Sequence, residues 1–163
     1  MAQHRFEFIM PASEAVVFDA FHYHHWRSRW DSLVSETRVE GGAPCPYVGA
    51  VTANTGAGLL RGLSMHTKFV SFDRPKVAAA SMVGRSFPFA RWAASMRHRP
   101  IGPRQSVLIY TVNFEVSPRA LRWVIGPAVK FIFKWETRRR FGRLQGFLAE
   151  HAADVEQWHA ENT

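Results

Sequence analysis

The hydrophobic period of this chain changes once, just after Pro118. Upstream, from Tyr47 to Val116, apolar residues recur at every second position in short runs. Downstream, over 119–160, they recur at helical spacing. A straight helix from Pro127 to Ala160 would run about 50 Å, whereas a domain of 163 residues is only about 40 Å across. The segment is therefore expected to break at Gly126-Pro127, where proline removes a backbone hydrogen bond, and then to bend, end near Ala153 or project. A run of strands followed by one long helix has few ways to bury itself. The sheet must curl, and the helix is the element available to cover its concave face.

The strands are read from alternation and their turns from Gly, Pro and Asp. Residues 5–10 place Phe6, Phe8 and Met10 on one face. Ser13 then caps a helix carrying Val16, Val17, Ala20 and Phe21 on its apolar side, and 24–33 reads as a second short helix. Further strands follow at 35–39, 48–54, 63–72, 76–83, 90–98 and 106–116. Gly41-Gly42-Ala43-Pro44, Thr55-Gly56-Ala57-Gly58, Asp73-Arg74-Pro75 and Pro100-Ile101-Gly102-Pro103 separate several of them. Short turns between successive strands imply an antiparallel meander. The expectation is a single α+β domain over 1–163, with a curved antiparallel sheet of about seven strands, two short helices after the first strand and a long C-terminal helix.

Composition narrows the class. Hydrophobic residues make up 47% of the chain, enough for a core and too many for disorder. The single cysteine, Cys45, cannot close an internal disulfide. No apolar leader opens the sequence, and no uncharged stretch is long enough to span a bilayer, so a cytoplasmic protein is expected. Net charge is +8, with Arg138, Arg139, Arg140 and Arg143 clustered near the end. Such charge draws anionic membrane, acidic ligands or nucleic acid.

The order of elements resembles the helix-grip fold of the START / Bet v 1-like (SRPBCC) superfamily, which includes polyketide cyclase/dehydrase-like proteins. The resemblance is carried by Pro11-Ala12-Ser13-Glu14-Ala15-Val16-Val17-Phe18 after the first strand and by Trp26…Trp30-Asp31 in the helical corner. Val48-Gly49, Phe72-Asp73-Arg74-Pro75 and Arg139-Arg140-Phe141…Leu144…Phe147-Leu148 carry the rest. It covers nearly the whole chain. It implies a cavity between sheet and long helix that holds an apolar small molecule such as a lipid, quinone or polyketide, and that the Trp26/Trp30 corner lies at the entrance. No Rieske-type cysteine/histidine set is present.

His22, His24 and His25 crowd the first corner, with Asp19 at i,i+3 from His22. They lack the spacing of a metal site, and no metal or other cofactor is expected. They read as the exposed end of a helix, and Trp26 and Trp30 as a packed structural corner doubling as a portal. The expected ligand wall comprises Trp26, Trp30, Met65, Phe69, Met82, Trp92, Met96, Tyr110, Val112 and Phe114, with Phe131 and Trp135 from the helix. Methionine and aromatic side chains adapt to irregular apolar ligands. For any one of them, plain core packing is the competing account. Thr67, Asn113, Tyr110 and His66 are the polar groups that could point inward. Tyr110 with His66 is the one candidate catalytic pair.

Binding or transfer of a hydrophobic molecule is the preferred function. The alternative is a cyclase/aromatase-type enzyme acting on a polyketide-like substrate. A third reading is a membrane- or RNA-interacting factor that uses the basic helix. Arg122, Lys130, Lys134 and Arg138 form a stripe beside Phe131, Phe133 and Trp135, a pattern suited to transient contact with an anionic membrane. Nucleic acid is disfavoured, because the aromatics are better used inside.

Overall fold

The structure is a computed structural model that describes residues 2–57, 64–118, 120 and 122–162. Its elements run β1 (Ala2–Met10), α1 (Glu14–His22), α2 (His24–Trp30), β2 (Val34–Val39), β3 (Val51–Gly56), β4 (Ser64–Asp73), β5 (Val77–Val83), β6 (Phe89–Gly102), β7 (Gln105–Val116) and α3 (Arg122–Asn162). The strands form one antiparallel sheet of seven, ordered β1-β7-β6-β5-β4-β3-β2. Strands β2 to β7 pair with their neighbours in sequence in five successive antiparallel pairs, and β1 returns to β7, with Phe6 opposite Tyr110 and Met10 opposite Ser106. This is the expected helix-grip order. The start of the expected strand at Leu63 and the Gly58 end of the turn lie outside the described residues.

Cross-strand partners share a face, so the register identifies the inner side. Phe6, Tyr110, Met96 and Ala78 lie in one row, and Val112, Ala94, Ala80 and Phe69 in the next. Further along come Met82, Thr67, Thr52 and Val39, then Met65, Asn54 and Thr37. In β4 the register shifts between Phe69 and Ser71. The shift brings Phe72 onto the same face as Phe69, where the two rings meet at 5.7 Å.

The N-terminus of α1 is capped by Ser13, whose hydroxyl accepts from the Val16 N–H. The entry loop is held by Ser106, which donates to the Ala12 carbonyl at 2.9 Å. The second helix stops at Trp30, three residues short of the expected end, because Asp31 turns back on Arg27 and caps the Leu33 N–H with its carboxylate.

The long helix corrects the sequence reading. It is continuous over 41 residues, about 62 Å at 1.5 Å per residue, and passes through Pro127 without ending. Pro127 is the sixth residue of the helix, so the one backbone bond it removes lies in the first turns. Its own missing bond falls near the helix end, on an exposed side. The helix packs against α1, α2, β7 and β1. Phe133 meets Phe114 at 5.0 Å and Phe141 meets Phe8 at 4.8 Å and Tyr110 at 5.2 Å. Trp158 then meets Trp26 and Tyr23. Phe141, Leu144, Leu148 and Val155 are fully buried, each worth about 1.5–3 kcal/mol as an apolar side chain removed from water.

Candidate functional site

The histidine-rich corner packs among α1, α2 and the end of α3. His22 is buried, not exposed as expected, and its Nδ1 donates to the Phe18 carbonyl at 2.8 Å. Burial lowers it to about 3, against the help of that carbonyl, so the ring is neutral. His25 stacks on Trp158, and His24 is half-buried with its ring lowered to about 4, mainly by burial. Among the described residues no three His, Cys, Asp or Glu side chains gather as a metal site would need. Asp19 is spent on Arg74, accepting from Nε and Nη2 at 2.7 Å each, with His159 of α3 3.3 Å away. That contact ties α1 to the β4–β5 turn and to the end of the long helix.

Trp26 and Trp30 are buried in the seam between α2 and α3. Trp30 Nε1 donates to the Ala20 carbonyl at 2.9 Å, and Trp26 lies against Phe147 and Trp158. Their apolar surface is spent on packing. Outside this seam, Arg29, Trp30, Arg143, Gly146, Phe147, Glu150 and His151 line an open groove of about 390 Å³.

The strand residues of the expected wall all face inward, but they divide into three sets. Met96, Tyr110, Val112 and Phe114 are buried in the packed core with Phe141 and Leu144, and Trp92 borders it. Phe69 packs with Phe72 and His22 under α1. Met65 and Met82, with Ala80 between their strands and the core, face the same side yet remain half-exposed. The helix residues Phe131 and Trp135 are a correction. They are 72% and 53% exposed, because the face of α3 turned to the sheet carries Val129, Phe133, Thr137 and Phe141 instead. The expected wall residues were two positions out of phase with that stripe.

The polar candidates separate in the same way. His66 and Asn113 lie on the outer face, and His66 Nδ1 pairs with Glu40 at 3.1 Å near the surface. His66 sits on β4 and Tyr110 on β7, on opposite faces with two strands between them, so they form no catalytic pair. Thr67 does face inward, within a network the sequence reading did not assemble. Its hydroxyl is 2.7 Å from that of Thr52, while Asn54 Nδ2 reaches both hydroxyls at 3.4 Å and Thr37 donates to Asn54 Oδ1 at 3.1 Å. This strip binds oxygen or nitrogen groups and contains no titratable member.

A second polar cluster was also missed. Asp31 is buried between two guanidiniums. It accepts from Arg27 Nε at 2.9 Å and from Arg140 Nε at 3.1 Å, with a further bond from Arg140 Nη2. Burial alone would raise the Asp31 carboxyl, but Arg140 and Arg27 outweigh it and hold it below the usual carboxylate range. Both guanidiniums also sit about 5 Å from the Phe21 ring centre, at 4.9 and 5.0 Å. The i,i+4 spacing of Arg27 and Asp31, and an arginine directly before buried Phe141, were the available signals.

The sequence matches the family model described as "Polyketide cyclase / dehydrase and lipid transport" over residues 1–146. No curated protein matches the chain. In fold it is similar to a START superfamily protein from Mycobacterium smegmatis, with TM-score 0.67 at 15% identity, covering 96% of this chain and 98% of that one. It is also similar to norcoclaurine synthase from Thalictrum flavum, with TM-score 0.65 at 13% identity, covering 92% and 87%. Ginseng major latex-like protein 151 from Panax ginseng gives TM-score 0.64 at 12% identity, covering 88% and 97%. With the sheet, its gripping helix and a match over most of the sequence in hand, the chain belongs to the polyketide cyclase / dehydrase and lipid transport family.

Proposed function

We propose that this protein binds and transfers a hydrophobic small molecule on the inner face of β3–β5. One observation carries the reading. The long helix packs over β1 and β7, while Met65 and Met82 face inward from β4 and β5, half-exposed and outside the packed core. Inward-facing apolar surface left accessible is a place for a guest, and two adaptable thioethers suit an irregular one. The Thr37–Asn54–Thr52–Thr67 strip adds a few polar contacts beside it, as ligand sites commonly have. A cyclase-type reaction would need a general base here. Asp31 is held as an ion-paired carboxylate and His66 lies on the outer face, which favours binding over catalysis. The test is native mass spectrometry of the protein purified from its own host. A co-purifying lipid, quinone or polyketide-like molecule is expected, and its loss in Met82→Trp, which fills the space. Retention by that variant would remove β5 from the site.

A second observation supports loading at an anionic membrane. Phe131, Ile132 and Trp135 form an exposed apolar band on α3, flanked by Lys130, Lys134 and Arg138. The β5–β6 turn, joined to α3 through Phe89 and Phe133, adds Phe87 at 64% exposure. Apolar side chains bordered by cations fit the boundary of an anionic bilayer. A second copy of this chain would bring like charges together. Flotation should show binding to phosphatidylserine-containing vesicles, lost in Phe131→Ser/Trp135→Ser. Equal, negligible binding to anionic and neutral vesicles would dispose of this route.

A further inference from the structure

The charges of α3 are sorted along its length. Residues 122–143 carry seven Lys and Arg and one acid, Glu136. Residues 144–162 carry four acids, Glu150, Asp154, Glu156 and Glu161, and neither Lys nor Arg. A helix dipole favours the opposite order, with acids at the start and cations at the end. On its own the helix is not stabilised by this order. Contacts within the fold leave most of the charge unused as well. Among the described residues Lys130, Lys134, Arg138 and Arg143 form no ion pair, and Glu156 forms none. Glu150 and Asp154 pair only with His151.

Size is sorted in the same way. On its outward side the first half of α3 presents Phe131, Ile132 and Trp135, all more than half exposed. Further along, the same side carries Gly146, Ala149 and Ala153, which are small and exposed. At 3.6 residues per turn these positions fall within about 100° of the helix circumference. The sector lies between α2, which meets Phe147, and β1, whose Ile9 carbonyl accepts from Gln145. At its edge the groove of about 390 Å³ opens beside Gly146, Phe147 and Glu150.

Two copies laid band to band would set cations against cations. Laid antiparallel about a two-fold axis at Gly142, they set basic half on acidic half. Lys134 then faces the partner's Glu150, and Lys130 faces the partner's Asp154. The large rings meet the small side chains, with Phe131 over the partner's Ala153 and Trp135 over the partner's Ala149, at the lip of the groove. Each contact occurs twice by symmetry. Arg139 and Arg143 border the axis as like charges, although Arg139 is turned onto Trp135 and paired with Glu136. The overlap is about 40 Å long, and a helix is about 10–12 Å wide. Each copy therefore covers roughly 400–500 Å², a total under about 1,000 Å², which is the size of a weak, reversible contact.

We infer that this protein forms a reversible antiparallel dimer through the outward side of α3, the basic half of each copy on the acidic half of the other. The inference does not rest on the guest site. Its interface includes the apolar band of the membrane route, so the paired form is closed to a bilayer and the monomer is the form that binds one.

Sedimentation velocity of the full chain from about 5 to 300 μM tests it. A monomer–dimer equilibrium is expected, with a dissociation constant on the order of 10–100 μM. Lys130→Glu/Lys134→Glu should weaken it about tenfold or more, and so should Glu150→Lys/Asp154→Lys, because each sets like charges against each other. Both changes are at exposed positions and should leave the circular dichroism spectrum unchanged. Mixed in equal amounts, the two variants restore opposite charges at both ends of the interface and should pair as tightly as wild type. A wild-type chain that stays monomeric to about 300 μM overturns the inference. Dimerisation that either double variant leaves unchanged overturns it, as does a mixture that stays monomeric. Each of these results leaves the guest site on β3–β5 and the membrane route standing.

Discussion

Replacing His98 with phenylalanine should flatten the acid side of this protein's stability curve. His98 projects inward from β6 and meets Phe18 edge-on, with ring centroids 5.5 Å apart. Both of its ring nitrogens are buried with no hydrogen-bond partner among the described residues. Burial lowers the ring to about 4, against an ordinary value near 6.5. The unfolded chain therefore takes up the proton first. Stability is full above pH about 6.5 and is lost as pH falls toward 4. Between pH 7 and pH 5 the cost from this one ring is about 2 kcal/mol. His98→Phe keeps an aromatic ring against Phe18 and removes the titration. It also removes two unpartnered polar atoms, which should add about 1 kcal/mol of stability at pH 7. Urea unfolding followed by circular dichroism at pH 7, 6, 5.5 and 5 measures both effects. The variant should be more stable throughout, with its advantage widening by about 2 kcal/mol as pH falls to 5. Parallel wild-type and variant curves over that range would refute the argument that His98 is buried neutral.

Asp31→Asn leaves two buried guanidiniums facing a neutral amide and should cost about 3–5 kcal/mol, read by thermal melting. Because the Asp31 carboxyl is held low in the folded state, its contribution is present above the ordinary carboxylate range and disappears as pH falls through the lowered value. Acid melts of wild type and Asp31→Asn should therefore converge at low pH, and a constant gap would contradict the pairing. Trp30→Phe loses the bond to the Ala20 carbonyl and part of a buried ring, and should lower stability by about 1–3 kcal/mol. An unchanged urea midpoint would show that the corner is not tightly packed.

Legibility in the sequence followed the strength of the local period. The inward row Trp92, Ala94 and Met96 could be read directly, because strict alternation over β6 leaves one choice of face. The long helix was legible as a helix, but its phase was not. Phe131, Phe133 and Trp135 are all aromatic, and only contact with Phe114 and Phe89 selects Phe133. The break expected at Pro127 failed because tolerance of proline depends on its distance from the helix start, which the sequence left uncertain. The missed cluster shows a different limit. Arg27 and Asp31 were neighbours by spacing, but Arg140 lies 109 residues downstream of Asp31. Nothing in a single sequence brings such groups together. His66 and Asn113 turned outward by one step of register, the smallest error a strand allows and one that reverses its meaning.

The register shift in β4 gives that strand two occupations. Before it, odd positions such as Met65 and Thr67 face the space proposed for a guest; beyond it, Phe72 takes over and roofs the first helix beside Phe18. Evolution or an engineer can therefore retune the leading half for a new cargo without touching the trailing half that secures the scaffold. Deleting Val70 would remove the extra residue and run the two phases together as one regular ladder.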